Sequence, residues 1–255
     1  MPKKDDSVND LIKSLKQYYD NSSISVHIPT LNTEIPFKIL TIKQHRELFN
    51  IMSNPDNMSS AVNVFNNLIL NACSSDYREK LTVLDRVATL LSIRMHLFGD
   101  DLKVKNNKGM IETVNIRKHL DKCTDTEVPS ELLECIISDG EFELTCKLPS
   151  IERDSNINAK LGTKLTNNDN KTLGHLFIYE LIKYIQFLKF NDNTFEFSTI
   201  PTEQQIQICE MLPISISSEI TNYINSIKVF EEDYLKVSDN LVLSLDTILL
   251  NIENE

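Results

Sequence analysis

Residues 23–52 run SISVHIPTLNTEIPFKILTIKQHRELFNIM, and within them the hydrophobic period changes from two to 3.6. Ile24, Val26 and Ile28 alternate with Ser25 and His27, which places the aliphatic residues on one face of a strand. Pro29-Thr30-Leu31-Asn32 has turn composition, and Ile35-Pro36-Phe37-Lys38-Ile39-Leu40 follows, so a β-hairpin is expected. Pro36 cannot donate to a ladder and belongs at an edge or at the start of its strand. Thr41 then offers an N-cap to a helix with Ile42, His45, Leu48, Phe49 and Met52 on one side. A hairpin that passes directly into a helix, without a returning parallel strand, points to an α+β fold.

Upstream, residues 1–22 form an expected amphipathic helix with Val8, Leu11, Ile12, Leu15 and Tyr18 or Tyr19 at helical spacing. Such an appended helix needs a surface to dock on. Downstream, Asn54-Pro55-Asp56 ends the first body helix, and Met58 to Ala72 carries a clean i, i+3, i+4 stripe. Thr82-Val83-Leu84-Asp85 resembles a capping box for a third helix, apolar nearly all round and stopped by Gly99. A second hairpin is expected around Asn106-Asn107-Lys108-Gly109, and another strand from Glu141 to Leu148. The polar stretch from Asn156 to Lys171 suggests a mobile loop, and Leu173, Phe177, Leu181, Tyr184 and Leu188 suggest a helix beyond it. Two more helices follow, over Ile206, Cys209 and Leu212 and over Ile216 to Ile227, while Leu241 to Ile252 fits strand or helix equally. The expected organisation is a docking helix at 1–22, an α+β domain of hairpins and three helices at 23–150, a flexible loop at 151–171 and a mainly helical region at 172–255.

Charge narrows the function. The chain has 255 residues, 37 acidic against 26 basic, for a net charge of −11, so it lacks the cationic surplus that phosphate backbones demand. No window approaches the ~20 apolar residues of a membrane span, and no apolar leader follows Met1, so a soluble cytosolic protein is expected. Five glycines and no phosphate-cradling motif argue against the common nucleotide enzymes. Five scattered cysteines, without paired spacing, argue for reduced thiols.

No residue set calls for catalysis. Asp85, Ser92 and His96 are the residue types of a hydrolytic triad, but eleven residues of helix separate Asp85 from His96 by about 16 Å. His119, Cys123, Cys135 and Cys146 could in type supply zinc ligands, yet they lack a CxxC knuckle. Glu231-Glu232-Asp233 is a run rather than a converging pair, and suits a solvated face. The aromatic residues from Tyr184 to Phe190 suit a core better than base stacking. No catalytic, cofactor or metal residues are assigned, and the expected activity is protein binding. Leu11, Leu15 and Tyr18 on the first helix, and Ile35, Phe37 and Ile39 on a strand edge, are the expected contact residues.

The ordered string from Val26 to Gln44, with Leu40-Thr41-Ile42-Lys43 at the helix start, and then Asp85, Arg94 and Gly99 on a later helix, resembles the baseplate hub assembly proteins of T-even-type contractile-tailed phages. The similarity covers about Ser23 to Val104. It implies a non-enzymatic hub component or assembly factor that binds other tail and baseplate hub proteins, without cofactor, nucleic acid or membrane. Such a protein would work in the host cytoplasm during assembly and in the virion baseplate. The competing expectations are an acidic regulatory protein that binds a host protein and a zinc-dependent hydrolase built on His119 and the middle cysteines.

Overall fold

In the computed structural model, which describes residues 4–52, 58–106, 108–165 and 171–249, the chain starts with helix α1 (Lys4–Asn21) and turns at Ser22 into the expected hairpin. Strands β1 (Ser23–Ile28) and β2 (Thr33–Lys38) pair antiparallel with Val26 opposite Ile35. Val26, Ile28, Ile35 and Phe37 share the buried face, and Asn32 turns the chain with φ 46°. Helix α2 (Ile42–Met52) starts with a reciprocal cap. Gln44 Oε1 accepts from the Thr41 N–H at 2.8 Å and from its hydroxyl at 2.9 Å, and the Gln44 N–H returns to Thr41 Oγ1 at 3.3 Å.

Helices α3 (Met58–Ala72), α4 (Ser75–Arg78) and α5 (Asp85–Phe98) follow, then strands β3 (Asp101–Lys105) and β4 (Ile111–Asn115) in a second hairpin. Helix α5 is buried from Asp85 through Arg94, as its near-continuous apolar pattern predicts, and Gly99 ends it at φ 83° while its N–H reaches the Met95 carbonyl. The remaining elements are α6 (Ile116–Asp125), α7 (Ser130–Leu133), β5 (Glu134–Asp139), β6 (Phe142–Lys147), α8 (Ile151–Leu165), α9 (Lys171–Tyr184), β7 (Ile185–Phe190), β8 (Asn193–Glu196), α10 (Thr202–Met211), α11 (Ile214–Leu235), β9 (Lys236–Ser238), β10 (Leu241–Val242) and α12 (Leu245–Leu249). The fold is α+β: small antiparallel sheets, the largest ordered β5-β6-β7-β8, packed with helices.

Two hydrophobic cores result. The first gathers the β1–β2 hairpin, α3, α5, the β3–β4 hairpin and α6, and is completed by Leu241, Leu243, Ile248 and Leu249 from the far end of the chain. The second packs the four-stranded sheet against α9, α10 and α11. Val87 and Leu91 of α5 lie in the first core while Leu84, just before its first turn, lies in the second, and Phe230 of α11 packs against both.

Three expectations need correction. Residues 151–165 are helix α8 rather than flexible loop, with Ile151, Ile157 and Leu161 buried. The inward side of α8 also carries Asp154 and Ser155, so polar residues break the stripe by which a helix is recognised. Residues 166–170 of that expected loop, and the Asn54-Pro55-Asp56 helix stop, lie outside the described residues. The helix expected through Leu188 ends at Tyr184, because Leu188 pairs with Leu144 of β6. Arg153 of α8 secures that switch by donating from Nη2 to the Ile182 and Ile185 carbonyls, each at 2.7 Å. The mainly helical region after 172 therefore contains two hairpins, β7–β8 and β9–β10. The ambiguous end resolves into both alternatives, β10 and then α12.

Candidate functional site

Helix α1 presents Val8, Leu11, Ile12, Leu15 and Tyr18 at 46–68% exposure, a continuous apolar stripe turned to solvent. Its last turn is tied to the body. Asp20 accepts from Lys38 Nζ at 2.9 Å, and the same ammonium lies 5.6 Å from the Tyr19 ring. The strand residues expected beside this helix behave otherwise. Ile35 and Phe37 are fully buried in the first core and Ile39 is half-buried, so β2 offers no apolar side chains at 35 and 37 to a partner. The alternation of β2 points them into the first core, and its backbone meets Cys73 in a β-bridge at Phe37.

The residue types associated with catalysis are structural in their surroundings. Asp85 is wholly buried and its carboxylate accepts from the Thr30 N–H (3.0 Å) and hydroxyl (2.6 Å) and from the Thr82 N–H (2.7 Å) and hydroxyl (2.9 Å). It thereby pins the first hairpin turn to the start of α5. Burial pushes its carboxyl above the usual range against the pull of those four hydrogen bonds. The Ser92 hydroxyl donates to the Ala88 carbonyl within its own helix. Arg94 is fully buried, donates to the Asp101 carbonyl at 3.4 Å and lies 5.2 Å from the Phe98 ring.

His119 and Cys123 come together on α6 at the Tyr234 carbonyl, to which the His119 Nε2–H donates and which Cys123 Sγ approaches at 3.6 Å. Burial lowers the His119 pKa and pushes the Cys123 thiol up to about 12. Cys135 and Cys146 face each other across β5 and β6 in the other core, so the four residues do not converge. Among the described residues no group of three or more His, Cys, Asp and Glu is placed to hold a metal ion.

The densest charged constellation went unrecognised in the sequence. Between the two cores, Arg86 of α5 donates from Nη2 to Asp154 of α8 at 3.0 Å, from Nη1 to Glu231 of α11 at 3.2 Å, and from Nε to Asn66 of α3 at 3.0 Å. Asn66 in turn donates to Asp154 at 2.8 Å. Lys183 of α9 bridges Asp154 and Glu180, both at 2.9 Å, and Lys228 of α11 reaches Glu180 at 3.3 Å. Arg86 and Asp154 side chains are 7% exposed and Lys183 10%, so the charges meet out of water. Burial alone would raise the Asp154 carboxyl, but the Lys183 and Arg86 charges and the hydrogen bonds from Lys183 and Asn66 hold it below the usual carboxylate range. Glu231 goes the other way, raised by burial with Arg86 opposing. The three cations match the three carboxylates and join four helices, α5, α8, α9 and α11, beside a cavity of about 260 Å³, with α3 tied in through Asn66.

The chemistry of this network is cohesion. Each cation is engaged by a carboxylate, which suits a clamp between layers better than proton transfer to a substrate. A faint signal was available: Arg86 and Lys183 are cations embedded in apolar helical stripes, positions that demand a buried partner. Glu231 also corrects the expectation of a purely solvated acidic run, since it faces Arg86.

Comparison with known proteins adds one match: the family model described as T4 bacteriophage base plate protein aligns with residues 21–233. No curated protein and no solved structure matches the chain. The matched span contains every member of the buried charge network, and α1 lies almost entirely before it.

Proposed function

The chain belongs to the T4 bacteriophage base plate protein family, and on that premise we propose that it works in the baseplate hub, as a component or assembly factor that acts by binding other baseplate proteins and without catalysis. The observation that carries this reading is the solvent-facing apolar stripe of α1, whose last turn is held to the body where Asp20 and Tyr19 meet Lys38. An exposed stripe of this kind lowers its free energy by entering an apolar groove, the helix-in-groove mode of recognition. The body behind it is built for rigidity, with two cores joined by matched buried charges.

The test is removal of residues 1–20 from the full chain, followed by co-purification with co-expressed baseplate proteins of the same phage. Loss of association, with the melting temperature of the remaining body within a few degrees of the full chain, is the expected result. A body that still associates fully, or that collapses on truncation, overturns the docking role of α1.

A further inference from the structure

Three connections meet at one end of the second core. The Asn191 N–H donates to the Glu141 carbonyl at 3.3 Å, joining the β7–β8 turn to the β5–β6 turn. The Ser215 hydroxyl donates to Asp139 Oδ2 at 3.2 Å, joining the start of α11 to the same place. Phe142 pairs with Phe190 across β6 and β7 with ring centroids 5.0 Å apart, and Phe195 sits diagonally beyond on the same face of β8. Phe190 and Phe195 are 41% and 46% exposed, and Met211 and Ile214, at the corner between α10 and α11, are 75% and 84% exposed. Apolar groups gathered at one end in this way mark an interaction surface.

The frame around them has one sign. Residues 138–143, 189–195 and 208–219 contain Asp139, Glu141, Glu143, Asp192, Glu210 and Glu219 against the lone cation of those segments, Lys189, which lies 3.9 Å from Glu143. Six to one is far from the 37 to 26 of the whole chain. We propose that this end is a second docking surface, occupied by a partner protein whose apolar contact residues are framed by Lys and Arg. The frame selects the occupant: a second copy would bring two acidic rims together, and an anionic bilayer would be repelled in the same way. A cationic rim complements it and speeds encounter. The surface lies inside the family-matched span, whereas the α1 stripe lies outside it, so the two stand independently.

Photo-crosslinking in the full chain tests this. p-Benzoylphenylalanine replaces Met211 in one variant and Leu15 in another, each co-expressed with baseplate proteins of the same phage, and the adducts are mapped by mass spectrometry. Position 211 is expected to label apolar residues of a baseplate protein that are flanked by Lys and Arg. Neutralising the rim with Asp139→Asn, Glu141→Gln and Glu210→Gln should cut that adduct about tenfold while leaving the adduct from position 15 intact. All these side chains are exposed, so melting should not change and a fall in yield reports docking. Adducts to a second copy, to a surface without basic residues, or at a yield indifferent to the rim charges overturn the proposal, as does silence at position 211 whatever position 15 does.

Discussion

Arg86 is the residue on which most of the buried charge depends, since its guanidinium engages Asp154, Glu231 and Asn66 from a single position. Arg86→Met keeps the aliphatic stem but takes from Glu231 its main counter-charge and from Asp154 one of its two, and should cost about 3–5 kcal/mol in denaturant unfolding. Asp154 contributes to the acid limb. Its folded pKa lies below the unfolded value, so its contribution is complete above the ordinary carboxylate range and is lost as pH falls through the lower folded value. Asp154→Asn should therefore flatten the dependence of stability on pH below about 4, measured by urea unfolding at a series of pH values. Gly99 is a backbone case. With φ 83° and ψ −173° it occupies a region nearly confined to glycine, and a Cβ there would meet nothing within 4 Å. Gly99→Ala should then cost about 1–3 kcal/mol through the backbone alone.

Helix α1 differs in kind from the other elements. At 18 residues and with its apolar face in water, it is near the limit at which a helix holds itself together. Hydrogen exchange in α1 should be fast in the free protein and slow in a complex that covers it. Leu11→Ser with Leu15→Ser should abolish association with baseplate partners and leave the thermal transition of the body in place, since neither residue belongs to a core. The β1–β2 hairpin is the opposite case: Ile35 and Phe37, candidates for a partner when judged by strand position, are core side chains.

Across the whole molecule, distant segments of the chain complete one another. Leu241, Leu243, Ile248 and Leu249 close the first core, whose other members start at Val26. Truncation after Ser238 should remove four buried aliphatic side chains, each contributing about 1.5–3 kcal/mol, and unfold the first core. Because Leu84 in the second core leads directly into α5 in the first, and Arg86 binds α8 and α11, the second core should lose stability in the same truncation, visible as a shift of the entire thermal transition rather than of one phase.

The sequence by itself determined the α+β class, the first two hairpins, the capped start of α2, the burial of α5 and the free amphipathic helix at the front. Each of these is written in local periodicity, in a turn residue or in a cap, and local energetics decide them. The residues of the string from Val26 to Gln44 and the Asp85, Arg94 and Gly99 positions also carried the family resemblance, and the structure shows them holding a turn, a buried helix and its stop. The tertiary structure alone decided that Leu188 leaves the helical stripe to pair in a sheet, that α8 is a helix with Asp154 turned inward, and that Glu231 meets Arg86 145 positions away. Long-range pairing and buried charge leave little mark on a local pattern, because the group that makes each of them favourable is supplied by another part of the chain.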